Sequence, residues 1–248
     1  MATQDIAVDN STVSYDDCFN LSTISGHSNA NDWLTNRNNA TGNSSVDSGI
    51  FYYAAYARLF NSTPLTYRVY QAFNVGNAGI DTSATVSAVS LKLVIMANTT
   101  GFVAYTNEGS THICNHDATA TVFTQTTNFG SLEGRPSSGT YSGNVTEYAS
   151  AFSNSAGTHN ISFNSDGISA VQALVSAGSS TGNLTLGLVN SADFAGSGYD
   201  TTMSGGVVFR GAKFESGESS TSANRPVLTV TYSIASVTHN AIIFGTNF

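Results

Sequence analysis

The stretch THICNHD sets His112, Cys114 and His116 at every second position, with Asp117 beside the last. On an extended strand, residues two apart project to one side, so these three share a face. Imidazole, thiolate and carboxylate are the donors that bind zinc. Structural zinc sites draw on two separated ligand pairs, and no second pair of suitable spacing accompanies this one. The expectation is therefore a strand edge with polar histidines and no bound metal. Tight acidic pairs, the other candidates for chemistry, are Glu215 and Glu218 in FESGES and Asp16 and Asp17 in YDDC. Glycosidases hold two carboxyl groups about 5–10 Å apart across a cleft, usually from different elements, so neighbours on one loop read as surface residues. No Gly-x-Ser-x-Gly elbow, phosphate-binding loop or His-Glu-x-x-His helix appears. The reading is a protein without catalytic residues or cofactor, not an enzyme. Trp33 in NANDWLTNR, the single tryptophan, is a glycan-binding candidate, because an exposed indole stacks on a sugar face. The plainer alternative is an indole packed in the core or pinning an arm to the body.

Composition narrows the classes. Only 10% of the 248 residues are charged, where a soluble domain carries roughly a quarter, and Ser, Thr, Asn and Gly take their place. A net charge of -8 repels phosphate backbones, and no basic stripe with interleaved aromatics offsets it, so nucleic acid is excluded as a partner. No apolar run reaches the roughly 18–20 residues of a membrane helix, and the opening MATQDIAVDNS has neither the basic nor the apolar region of a secretory signal. A membrane partner is not expected. Cys18 and Cys114 permit one disulfide, but a chain this long needs no staple, and two buried thiols are the simpler reading.

The elements that position these residues are β-strands. GIFYYAAYARLF (49–60) and YRVYQAFNV (67–75), separated by a turn containing Pro64, should be antiparallel neighbours. TVSAVSLKLVIMAN (85–98) puts Val89, Leu91, Leu93 and Ile95 on one face and Lys92 on the other, the pattern of a core strand. Further strands are expected at 159–164, 184–189, 206–214 and 226–233, the last opened by Pro226. One segment has helical spacing: in NSDGISAVQALVSAG, Ile168, Val171, Leu174 and Val175 line one stripe, with Ser165 or Asp166 to cap the start and Gly178 the end. Ser- and Gly-rich stretches at 134–143, 195–206 and 216–224 read as loops. The chain divides into an N-terminal arm with a first strand (1–45), a β-sandwich (46–233) and a C-terminal arm (234–248).

The order YRVYQAF, IDTS, ATVSAVSLKL, ISFNSDGISAV, LTLGL and FESGESSTSANRPVLTVTYS resembles the DNRLRE-type, carbohydrate-binding-module-like jelly-roll modules found in bacteriophage structural proteins. The likeness spans about residues 52–233. It implies a carbohydrate-binding-module-like β-sandwich used for surface attachment or as part of a virion; with the helix read from the spacing, the expected fold is an all-β jelly-roll β-sandwich with one short helix and extended terminal arms. The DNRLRE signature itself is absent, and no ligand site is carried over.

The tail IASVTHNAIIFGTNF follows what should be the last strand. About fifteen residues, extended, reach on the order of 50 Å. Ile242, Ile243, Phe244 and Phe248 sit there with no charged side chain between them, and exposed apolar strands aggregate unless covered. Burying the four contributes roughly 6–12 kcal/mol before ordering costs. These four are the partner-binding candidates; the alternative is one more strand of the chain's own sandwich. The expectation is a non-enzymatic virion protein, a head decoration, head fibre or tail appendage. It would be made in the host cytoplasm, displayed on the particle surface and extracellular after lysis. Its partners would be other virion proteins and copies of itself, a trimer being preferred. A glycan-binding module or adhesin that attaches to surface glycans is the alternative.

Overall fold

The computed structural model describes residues 1–8, 18–23, 37–38, 44–46, 51–59, 63–100, 103–116, 129–137, 140–200 and 207–235. Runs in which Val, Ile, Leu, Tyr and Phe alternate with Ser, Thr and Asn fit a pleated, half-buried surface. Among the described residues they build thirteen strands. In chain order these are β1 (Ala2–Ala7), β2 (Cys18–Thr23), β3 (Ser44–Val46), β4 (Phe51–Leu59), β5 (Thr63–Asn74), β6 (Thr85–Ile95), β7 (Val103–Asn107), β8 (Ser110–Asn115), β9 (Glu147–Ser153), β10 (Gly157–Ser162), β11 (Asn183–Asn190), β12 (Val207–Glu215) and β13 (Val227–Ser233). Helix α1 (Ser165–Ala177) precedes β11, and a five-residue helix α2 (Ser191–Ala195) follows it. Where the sequence pattern indicated one helix, two are formed among the described residues.

The strands share one hydrogen-bonded sheet that turns over on itself. One layer runs β1–β13–β6–β10, all antiparallel. The other runs β12–β4–β5–β11–β8–β9, with β2 on the far edge of β5 and β7 parallel to β12. The layers join where β6 and β12 meet through a single residue pair, Ile95 with Phe214. Leu91, Leu93, Leu228 and Val230 from the first layer pack with Phe73, Leu186, Leu188 and Phe214 from the second, and α1 adds Val171 and Val175. That is an all-β sandwich, the fold class the sequence pattern indicated.

Strand β6 shows how local geometry serves the core. Val86 and Val89 are both buried although three residues apart, which strict alternation forbids. A register shift between Thr231 and Tyr232 of β13 passes over Ser87, and this bulge brings both valines inward. The pairing of β4 with β5 is antiparallel as expected, but Pro64 lies inside β5 opposite Arg58 and not in a turn. The N-terminal residues form β1 against β13, with Ile6 and Val8 in the core. The cap of α1 is Asn164, one residue before the expected Ser165 or Asp166. Its Oδ1 accepts from the backbone N–H groups of Asp166 and Gly167, both at 3.0 Å. Gly178 ends the helix in the left-handed conformation, φ 58°, as expected.

Asn164→Ala removes both capping bonds. It should destabilise the chain by about 1 kcal/mol, seen as a lower urea midpoint with unchanged slope, whereas Ser165→Ala should change little.

Candidate functional site

His112, Cys114 and His116 do share one face at β8, but packing engages each of them separately. His112 Nδ1 lies 2.6 Å from Glu147 Oε1, and its ring stacks on Phe194 with centroids 3.8 Å apart. Cys114 is buried and carries a free thiol, so the disulfide that the sequence permitted is not formed. Burial pushes that thiol well above its ordinary pKa, and Glu147 adds to the effect. A thiol held neutral is a poor nucleophile and a poor ligand. His116 is fully buried, its ring edge-on to Tyr70 at 5.1 Å. Among the described residues, no group of three His, Cys, Asp or Glu side chains could hold a metal ion. Glu215 and Glu218 have separate partners: Asn224 donates to Glu215 at 3.4 Å, and the Tyr52 hydroxyl donates to Glu218 at 3.3 Å. One Gly-x-Ser-x-Gly pattern does occur, at 178–182, but it leads from a helix to a strand, the reverse of a nucleophile elbow. Asp16, Asp17, Trp33, Asp117, Ile242, Ile243, Phe244 and Phe248 lie outside the described residues.

The best-organised polar cluster is one the sequence reading missed. Arg68, midway along the aromatic strand β5, is fully buried. Its Nε and Nη2 donate to the two carboxylate oxygens of Asp193 on α2 at 2.7 and 2.8 Å. Its Nη1 donates to the Phe129 carbonyl at 2.6 Å, and Nη2 also reaches the Arg37 carbonyl and the Tyr141 hydroxyl oxygen. Arg37, equally buried, donates to the backbone carbonyls of Asp193 and Phe194 and stacks over Tyr141 at 3.7 Å. Burial works against the charge on Arg68, and the Asp193 carboxylate more than offsets it, so the guanidinium pKa lies well above its ordinary value. The signal in the sequence was a charged residue inside YRVYQAF, in a chain with just eight Lys and Arg. Its partner, 125 positions away, could not be read.

A second cluster is partly exposed. Arg210 on β12 bridges Glu108 at 2.6 Å and Asp200 at 2.7 Å, while the Tyr56 hydroxyl accepts from the Asp200 backbone N–H. Beside it lies a pocket of about 100 Å³ lined by Tyr56, Glu108, Asn190 and Ser191. A cleft of about 190 Å³ separates α1 from β11, with Asn115, Tyr148, Leu174 and Leu184 along its walls.

The face of the second layer turned away from the main core carries an aromatic array. Tyr53 of β4 stacks on Phe209 of β12, centroids 4.7 Å apart and rings 13° from parallel. It lies 5.8 Å from both Tyr67 of β5 and Tyr105 of β7, and 5.7 Å from Phe51. Tyr67, Tyr105 and Phe209 are buried, whereas Phe51 and Tyr53 are half-buried. Lys213 lays its ammonium over the Phe51 ring, 3.6 Å from the centroid. Loss of hydration lowers the Lys213 pKa, partly countered by Glu215.

No protein-family model and no curated protein matches this chain. Its site chemistry therefore rests on the geometry.

Asp193→Ala leaves two buried guanidinium groups without their counter-charge. It should cost about 3–5 kcal/mol, while Arg68→Met combined with Asp193→Leu should cost less than Asp193→Ala alone; a denaturation cycle measures both. The buried phenols set the alkaline limit. Burial raises Tyr67 and Tyr105 above their ordinary 10.0, and burial with Glu133 and Asp166 pushes Tyr148 up to about 12. A phenol whose folded value exceeds its unfolded one contributes stability in full below the unfolded value and loses it as pH rises through the folded one. Melting temperature should therefore fall from about pH 10 to pH 12, with part of the tyrosinate absorbance appearing only on unfolding.

Proposed function

We propose that the chain is a non-enzymatic structural protein of a bacteriophage particle, a head decoration, head fibre or tail appendage, docked through residues 234–248. One observation carries this reading. Strand β13 is paired along both edges, by β1 and by β6, and the chain leaves it at Ile234, which is 53% exposed. A strand with both edges filled accepts no further strand alongside, so the apolar continuation has to find cover elsewhere, and the open sheet edge of a neighbouring subunit offers it. Ile242, Ile243, Phe244 and Phe248 supply the apolar surface for that contact, and copies docking together, as in a trimer, multiply its strength. Two further features favour holding over reacting. His112 is held against Glu147, and Arg68 with Asp193 and Arg210 with Glu108 and Asp200 are taken up in ion pairs. The charge-poor, Ser- and Thr-rich composition suits a displayed surface.

Deleting residues 241–248 tests the proposal. Incorporation into particles should be lost while circular dichroism and melting temperature stay those of the full chain. Normal incorporation of the truncated chain, or its unfolding, overturns the docking role; unfolding would make the segment a strand of its own sandwich.

A second reading, a glycan-binding module, is favoured by the half-buried rings of Phe51 and Tyr53 beside Lys213.

A further inference from the structure

The register of β4 and β12 sets four unlike side chains side by side. Phe51 pairs with Glu215 and Tyr53 with Lys213, and all four project from the outer face of the second layer. Directly paired residues on neighbouring strands have Cβ atoms about 4.5–5.5 Å apart. Two rings, an ammonium and a carboxylate thus occupy one patch the width of a small ring molecule. The patch is stiff from behind: Tyr53 is stacked on the buried Phe209, and the hydroxyl of buried Tyr105 donates to the Gly211 carbonyl at 3.0 Å.

Its ammonium and carboxylate are underused. The Lys213 ammonium makes no hydrogen bond or ion pair among the described residues; it lies over the faces of Phe51 and Tyr53, at 3.6 and 5.8 Å. Glu215 accepts one long bond, from Asn224 Nδ2 at 3.4 Å. An ammonium laid over the Phe51 ring and a carboxylate on the neighbouring pair therefore both have hydrogen-bonding capacity to spare.

We propose that Phe51, Tyr53, Lys213 and Glu215 form a platform for a neutral pyranose, one sugar residue of a surface glycan. The inference rests on the glycan-binding reading and gives it a site. A pyranose has an apolar C–H face, which rings can cover, and a rim of hydroxyls that both donate and accept. Lys213 donates to one hydroxyl and Glu215 accepts from another, and such charge-assisted bonds are the stronger kind. Other ligand classes fit worse. An anionic sugar meets Glu215 and a chain of net charge -8. A cation meets Lys213. An apolar peptide strips water from both charged groups and returns no hydrogen bond.

The test uses the full chain on an array of neutral hexose- and N-acetylhexosamine-terminated glycans with matched sialylated and uronate-terminated ones. The best binder is then titrated against Lys213→Met, Glu215→Gln and, as a control on β6, Lys92→Met. Neutral glycans should be preferred. Lys213→Met, which keeps the stem over Phe51, and Glu215→Gln should each weaken binding by about tenfold or more, and the control should not. The sugar should also shift the near-ultraviolet tyrosine spectrum of the unsubstituted chain, a readout that needs no variant to fold. Binding that ignores both variants and leaves that spectrum unchanged overturns this site and leaves the glycan reading standing. A preference for acidic glycans overturns the charge argument. No binding to any glycan removes the site and the glycan reading together, without touching the docking proposal.

Discussion

An arginine side chain enters the interior at Arg68, and its charge dictates what the surrounding chain must provide. A lone buried guanidinium costs several kcal/mol, so a buried position is tenable only if its donors meet acceptors. Asp193 provides two oxygens, Phe129 and Arg37 provide carbonyls, and Tyr141 provides a hydroxyl oxygen. Those partners come from four separate parts of the chain. The second core, with Tyr70, Cys114, Leu132, Tyr141, Val145, Val189 and Phe194, forms around that hub. The stacking of His112 on Phe194, and through it the contact with Glu147, depends on where α2 is held, and Asp193 holds it.

The main core obeys a different physics. It is apolar and filled from both layers and from α1, and its constraint is phase more than charge. Strand β6 has to present Val86 and Val89 on the same side, which the bulge opposite Thr231 allows. The sandwich thus leaves the second layer with two unlike faces. One is sealed against β6 and β13. The other carries the aromatic array of Tyr53, Tyr67 and Phe209; Arg68 and Arg210 directly follow Tyr67 and Phe209 along β5 and β12, so the two ion-paired clusters project from the opposite side of the sheet.

The docking and glycan-binding readings are compatible, because they use different parts of the chain. The tail begins beyond β13 in the first layer, and the aromatic patch lies on β4 and β12 in the second. A displayed particle protein that holds on at one end and meets sugars on a sheet face needs few charged side chains. Hydroxyls and amides keep such a surface wet, and the net charge of -8 repels nucleic acid.

The positions of β4, β5, β6, β10, β11, β12 and β13, helix α1 and the fold class were legible in the sequence because they depend on periodicities of 2.0 and 3.6, which neighbouring residues reveal on their own. Val89, Leu91, Leu93 and Ile95 read as one buried face, and the structure has them so. The shared face of His112, Cys114 and His116 was equally visible. Other features were decided by residues far away in the chain. Whether those three would bind a metal depended on Glu147 and Phe194. The burial of Arg68 depended on Asp193. Lys213 and Glu215 came to lie beside Tyr53 and Phe51 through the pairing of β12 with β4, some 160 positions apart. Side-chain direction along a strand follows from local stereochemistry, and the sequence determines it alone. Which strand lies opposite, and which charge meets which, follows from the pairing of distant segments, and only the tertiary structure decided it.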